Sequence, residues 1–563
     1  MNTSPSYGAY TVPICAGHPR FSGELATLAQ TQGPAAAWAA AFAQHGTAAP
    51  RQVTGDYAVA ICGPEGETFL AIDRFAIRTL CYRQGPKGLG FAERANELAD
   101  GDSPVDPQAI FDYLFFHAIP SPRTIFKGIL RLPPAHYAHF KGGKLSVAPY
   151  WVPTFQEPRS GDFGALKGEF MGILENAVKS RLEGYAPEQI GCFLSGGTDS
   201  STVAGMITQV SGRPAASYSI GFDAQGYDEM EYARIAARRF GTDHHEYYVT
   251  PADLVRKIPD VATHYDQPFG NSSALPAFYC ARMAHDDGVR RMLAGDGGDE
   301  LFGGNTRYAK QRVFGIYDHV PSVLRKGFLE PVLGLPGMDR IPIVKKGVSY
   351  IEQARVPMPE RTEMYNLLIR LGADQVLTPA FLARVDQRAP HALQKEVWNA
   401  AQASTQINRM LAFDWRFTLA ENDLPKVVGT TRLAEVDVAF PLLDDALLDF
   451  SCTLPPEFKL KGFKLRWFFK EALRGFLPDE IITKKKHGFG LPFGVWACKD
   501  AALRQLAGDT LNALVRRNIL DEKFLRSLTT ELLPAYPGYY GELVWILMML
   551  EQWLQKYAPD FRV

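Results

Sequence analysis

The residues that could do chemistry concentrate at three places. The first is Ser195-Gly196-Gly197-Thr198-Asp199-Ser200-Ser201, a glycine turn after an apolar run at 190–194 and before apolar residues at helical spacing, Val203, Met206, Ile207 and Val210. The pattern predicts a strand, a turn and a helix that begins near Asp199. A helix start offers unpaired N–H groups and the positive end of the peptide dipoles, and glycines let an anion approach the backbone. Ser195, Ser200 and Ser201 add hydroxyl donors, so the turn suits a phosphate or pyrophosphate. It is not a GxxxxGK[ST] loop, because no lysine follows the glycines. Instead Asp199 would repel a bare phosphate unless Mg2+ lay between them.

The second place is Gly295-Asp296-Gly297-Gly298-Asp299-Glu300, with two carboxylates around a pair of glycines. Carboxylates on such a loop are the usual means of holding Mg2+ against phosphate oxygens. The third is the basic run Lys484-Lys485-Lys486, followed by His487-Gly488-Phe489-Gly490. On charge alone, Lys484 and Lys485 read as solvated structural residues, and His487 as incidental.

A frame must bring these places together. Strand patterns at 215–222, 246–249 and 289–293 alternate with helical ones. One helix carries Met230, Ala233, Ala237 and Phe240 on a single face and closes at Gly241; two more fall near 254–261 and 275–283. The alternation predicts an α/β doubly wound parallel sheet with added helices, in which ligands lie beyond the carboxyl ends of strands at a switch point. The glycine turn and the acid loop then border one crevice. Residues 310–410 read as helical and proline-punctuated, with no assignable chemistry.

Residues 1–155 follow another rule. Short apolar strands at 57–61, 68–72 and 88–91 alternate with turns, as in an α+β domain built on a sandwich of antiparallel sheets. The chain therefore divides into 1–155 and 156–563.

Composition narrows the class. The chain has 563 residues, 46% hydrophobic and 21% charged, with a formal net charge of -1, which fits an ordinary globular protein of two or three domains. No basic excess points to nucleic acid and no acidic tail to disorder. Seven cysteines lie scattered without CxxC spacing, which argues against a zinc site and for reduced core residues in a cytoplasmic protein. No apolar run nears the roughly 20 residues of a membrane-spanning helix. No charge precedes Arg20 and no sustained apolar run opens the chain, so no signal peptide is expected.

Several stretches carry a family resemblance. SGGTDS after an apolar strand resembles the pyrophosphate loop of the N-type ATP pyrophosphatases. Residues 53–82, VTGDYAVAICGPEGETFLAIDRFAIRTLCY, resemble class II glutamine amidotransferases, and 113–137 the end of that domain in asparagine synthetases. SIGF at 219–222, GTDHHE at 241–246, GDGGDE at 295–300 and the run 459–492 are similar to the asparagine synthetase family in order and spacing. The resemblance implies an Ntn-hydrolase-like domain followed by a PP-loop domain of the adenine nucleotide α-hydrolase type, with ATP and Mg2+ as cofactors. It places Leu194, Ile220 and Gly295 at the adenine and Ser195, Gly196, Gly197, Ser200 and Ser201 at the pyrophosphate. It implies that Asp199 and Asp299 hold Mg2+, that Asp296 faces an acyl adenylate and the incoming amine, and that Lys486 is the catalytic lysine, stabilising charge on phosphate and oxyanion.

The departures from that family are as informative. Its nucleophile is a cysteine directly after the initiator methionine, where this chain has Asn2, and the surroundings of Cys15 do not resemble that start. Its Arg-Gly-Pro-Asp and Asn-Gly-Glu stretches are missing, and 11–51 looks shortened and alanine-rich. An arginine ahead of its Pro-Phe-Leu-Asp element is Ala439 here, in a segment, 427–444, that looks shortened, and alanine cannot bind a substrate carboxylate bidentately. The first domain is therefore expected to be degenerate, and the enzyme to join a small-molecule or peptide carboxylate to an amine without glutamine, in specialised metabolism. β-Lactam synthetases and lasso peptide cyclases are family members of that kind, although the β-lactam enzymes carry tyrosine where Asp296 stands. An asparagine synthetase using free ammonia and a catalytically silent nucleotide-binding scaffold remain alternatives. No nucleic acid or membrane partner is expected; a homodimer is left open.

Overall fold

The computed structural model describes residues 10–86, 88–101, 103–224, 226–318, 353–484 and 490–563. In the first domain, five antiparallel strands pair in the order Thr11–Gly17, Tyr57–Cys62, Thr68–Ile72, His136–Lys141, Lys144–Pro149. Side chains alternate across this sheet. Ala58, Ala60, Leu70 and Ile72 pack on Tyr82 and Leu89 of a three-stranded antiparallel sheet. Val59, Ile61, Phe69 and Ala71 pack on Trp38 and Phe42 of the Pro34–His45 helix. The antiparallel pairing is as read from sequence. The helical layer is an addition, built from the alanine-rich stretch whose small side chains let the helix lie close to the sheet.

The second domain carries a parallel sheet in the order Asp243–Val249, Ala216–Phe222, Ile190–Phe193, Arg291–Leu293, Asp437–Ala439. The first four strands match the sequence pattern. The fifth adds an edge that a three-residue Asp-Val-Ala strand does not announce. Strand order reverses between Ile190–Phe193 and Arg291–Leu293, so the loops after these two strands open onto the same crevice.

The helix Gln406–Asp414 runs into a π-helical stretch, Trp415–Asp423, and on into the helix Leu424–Leu433. The wider turns come just ahead of Pro425, which has no N–H to donate and whose ring crowds the preceding carbonyls. The first domain packs directly on this second one through charge. Asp437 on the edge strand receives Arg78 of the first domain at 3.3 Å and Arg291 at 2.7 Å. Arg20 bonds Asp444 at 2.6 Å, and Arg74 reaches Asp445 at 3.1 Å and Asp449 at 3.0 Å.

Candidate active site

The glycine turn leads into the helix Thr198–Ser211, whose N-cap is Gly197. Gly196 has φ +68, and a Cβ there would strike the backbone of Tyr232 and Ala233 in the helix Met230–Phe240, so the turn needs glycine twice over. Inside the turn, the Ser195 N–H donates to the Ser200 hydroxyl at 3.1 Å and the two hydroxyls lie 3.0 Å apart. From the other loop Gly295 presses onto the same helix: a Cβ on it would lie 2.7 Å from the Ser200 nitrogen. The two loops meet because Gly295 has no side chain to hold it off the Asp199–Ser200 backbone.

Between them opens a cleft of about 320 Å³. Leu194, Ser195, Asp199, Ser200 and Ile220 line it, as do Gly295, Asp296 and Asp299 from the second loop. Gly196 and Gly197 shape the turn without lining the cleft. Ser201 is fully buried and also lies off the lining, and its hydroxyl finds no partner among the described residues, so it is not placed to meet a ligand in this cleft. Lys486 and His487 lie outside the described residues, as does Lys485.

Sequence reasoning misses the residue at the centre. Arg466, only 5% exposed, sends Nη1 to Asp199 Oδ2 at 2.8 Å, to Asp299 Oδ1 at 2.6 Å and to the Thr198 hydroxyl at 3.0 Å, while Nη2 donates to Asp199 Oδ1. Burial alone would weaken the guanidinium as a base; the two carboxylates outweigh it and raise its pKa. Its plane also rests on Phe469, 4.1 Å from the ring centroid. One cation thus contacts carboxylates from both loops, which establishes that Asp199 and Asp299 converge on a single point. Two hard oxygen donors converging beside a helix start suit Mg2+, which usually takes one or two carboxylates and fills its remaining positions with phosphate oxygens and water.

A second charged group lies along the cleft wall. Lys426 stands 3.5 Å from Asp296 Oδ1 and 3.1 Å from Asp423 Oδ1, and all three line the cleft. Burial pushes the Asp296 carboxyl up from its ordinary range, Lys426 opposes that rise, and the Asp423 charge adds to it. For Lys426 the desolvation works downward, but Asp423 and Asp296 prevail and hold the ammonium above its usual value. The i, i+3 spacing of Asp423 and Lys426 on a helix was the available signal.

Lys484 corrects its reading as a solvated lysine. Its side chain is 8% exposed, bonds Glu229 on the cleft wall at 3.1 Å and sits 4.3 Å over the Tyr232 ring. The basic run therefore begins at the rim of the cleft. Ala439 ends the buried edge strand, hydrogen-bonded through its carbonyl to the Ala294 N–H at 2.9 Å. Cys15 lies inside a strand, paired with Val59, and burial pushes its thiol up.

Comparison with known proteins gives two family matches. Residues 169–555 match the model described as asparagine synthase, and residues 24–151 the one described as glutamine amidotransferase domain. Among curated relatives, the glutamine-hydrolysing asparagine synthetase 1 of Bacillus subtilis is 24% identical over 76% of this chain and 66% of its own length. A putative asparagine synthetase of Mycobacterium tuberculosis is 26% identical over 83% of this chain and 71% of its own. A putative asparagine synthetase 2 of Methanocaldococcus jannaschii is 33% identical over 43% of this chain and 47% of its own. The match thus spans just under two thirds of the Bacillus protein.

Proposed function

Because the chain belongs to the asparagine synthase family, we propose that it is an AMP-forming carbon–nitrogen ligase, which activates a substrate carboxylate with ATP as an acyl adenylate and captures it with an amine. The convergence of Asp199 and Asp299 on one cation position, beside a glycine-turn helix start, carries this reading. The helix N–H groups and the Ser195 and Ser200 hydroxyls bind the leaving pyrophosphate. Magnesium held by Asp199 and Asp299 would neutralise charge on it. Leu194, Ile220 and Gly295 flank the adenine. Asp296, whose carboxyl Lys426 draws down against the larger upward push of burial, accepts a proton from the attacking amine. Lys486 is assigned to the developing oxyanion.

The geometry of Cys15 supports an amine that does not come from glutamine hydrolysis. A mid-strand cysteine has its own nitrogen in a peptide bond, so it lacks the free α-amino base that the family's nucleophile uses, and its buried thiol resists ionisation. A cytoplasmic role in specialised metabolism and an acid other than aspartate complete the proposal, the latter resting on Ala439. Free-ammonia asparagine synthesis is the second reading: the names of the relatives favour asparagine as the product, although they specify glutamine hydrolysis.

Magnesium-dependent ATP–pyrophosphate exchange over a panel of carboxylic acids, with mass spectrometry of products formed when amines are added, tests the proposal. One acid other than aspartate is expected to stimulate exchange, with no effect of glutamine or of Cys15→Ala. Exchange with aspartate alone moves the enzyme to the second reading. No exchange with any acid overturns the ligase reading.

A further inference from the structure

The π-helical stretch Trp415–Asp423 is gripped at successive residues by the first domain. Trp151 stacks on Trp415 with centroids 6.3 Å apart, and Phe116 lies parallel to Phe417 at 5.1 Å and 7°. Glu421, only 4% exposed, accepts from the Ser121 N–H at 3.1 Å and the Ser121 hydroxyl at 2.8 Å, and pairs with Arg131 Nη2 at 2.5 Å. Arg416 closes the group, pairing with Glu421 and donating to the Ser121 hydroxyl at 2.9 Å. Asn422 donates to the Phe116 carbonyl at 3.2 Å. The next residue is Asp423, and one turn on is Lys426, the two that meet Asp296. At its other end Trp415 donates its indole N–H to the Glu300 carbonyl at 2.9 Å, beside Asp299.

These contacts do more than join two domains. A π-helical stretch is rare beside the α-helix; Pro425 favours it here, and the surrounding contacts hold it. Reverting it to α-helix would rotate every later residue about the helix axis and carry Lys426 away from Asp296. We propose that the amidotransferase-like domain acts as a splint: Arg131, through the buried Glu421, holds the π-helix that sets Asp423 and Lys426 against Asp296. Arg131 and Glu421 are positioning residues, since neither lines the cleft. This assignment gives the domain a role that needs no nucleophile. Its catalytic consequence rests on the ligase reading; its structural part does not.

The full-length chain carrying Arg131→Met, Arg131→Lys, Glu421→Gln or Phe116→Leu tests it. Hydrogen-exchange mass spectrometry is expected to show at least tenfold faster exchange in peptides covering 415–427 for Arg131→Met and Glu421→Gln, restoration by Arg131→Lys, and no change over 190–206. With the acid found in the exchange panel, kcat is expected to fall at least tenfold and its acidic pH limb to move up, while affinity for magnesium α,β-methylene-ATP stays within twofold. Phe116→Leu, which keeps the charges, is the milder variant should Arg131→Met not fold, and is expected to give the same pattern at smaller size. Unchanged exchange over 415–427, or loss of kcat matched by equal loss of nucleotide affinity with an unmoved pH limb, overturns the splint. If no acid supports exchange in the parent protein, the ligase reading fails, while the hydrogen-exchange arm still decides the splint.

Discussion

Lys426 extends its ammonium to 3.5 Å from the Asp296 carboxylate across the cleft wall, on an element that the first domain holds in place. The pair sets the ionisation of the acid assigned to proton transfer. Burial raises the Asp296 pKa and Lys426 lowers it, so removing the cation leaves the upward push unopposed.

Lys426→Met is therefore expected to move the acidic limb of kcat to higher pH. As a general base contributes roughly 10²–10⁴-fold, turnover at neutral pH should fall by at least about tenfold, and recover in part as pH rises. A pH–rate profile checks this. A limb that stays in place would show that Asp296 does not govern the rate.

Arg466 occupies the point where Asp199 and Asp299 converge, so it competes with any free cation for that pair. Arg466→Gln is expected to bind Mn2+ in the absence of nucleotide at least about tenfold more tightly than the parent, since two carboxylates lose their resident charge. Titration by electron paramagnetic resonance measures it. Equal affinities would mean that the guanidinium does not guard the site.

Gly196→Ala places a side chain on a residue with φ +68 and against the Tyr232 backbone. Destabilisation of more than about 1 kcal/mol is expected, together with loss of nucleotide binding as the turn is pushed away from the helix Met230–Phe240. Denaturant unfolding and calorimetry read the two effects. A fully stable variant with normal affinity would refute the packing account.

Lys459 is fully buried; among the described residues its ammonium donates to the Asn408 side-chain amide oxygen Oδ1 at 2.8 Å, with the Phe155 ring 4.7 Å away. Burial pulls its pKa down to about 7 from 10.5. Between these two values the unfolded chain binds more protons than the folded one, so stability rises with pH across that window and is lost as pH falls through the folded value. Lys459→Met should flatten this slope and make the protein more stable than its parent near pH 7. Thermal melts between pH 7 and 10 decide the matter; a slope unchanged in the variant removes Lys459 as its source.

Local pattern reveals the parts whose physics is local. The glycine turn, the four strands from 190 to 293 and the acid loop are legible because glycines, carboxylates and apolar periodicity act over a few residues. Arg466 is hidden among the basic residues of the run 459–474, and its partner Asp199 lies 267 positions away. Lys484 reads as solvated on charge alone because Glu229, which buries it, belongs to another segment. The π-helical turn is only half legible: Pro425, which favours a wider turn ahead of it, stands in the sequence, but the contacts with Phe116, Ser121 and Arg131 that hold the stretch come from another segment.

The edge strand Asp437–Ala439 has one further consequence. Among the described residues its outer side faces no other strand; instead Arg78, with His18 3.6 Å from Asp437, lies against it. An uncovered strand edge is a template for association between chains. A truncated form lacking residues 1–155 would bare that edge together with the carboxylates Asp444 and Asp445, and its first difficulty would be insolubility rather than slow turnover. Shielding of this kind depends on shape and charge alone, so it constrains the first domain as a surface even where it has no reaction of its own to perform.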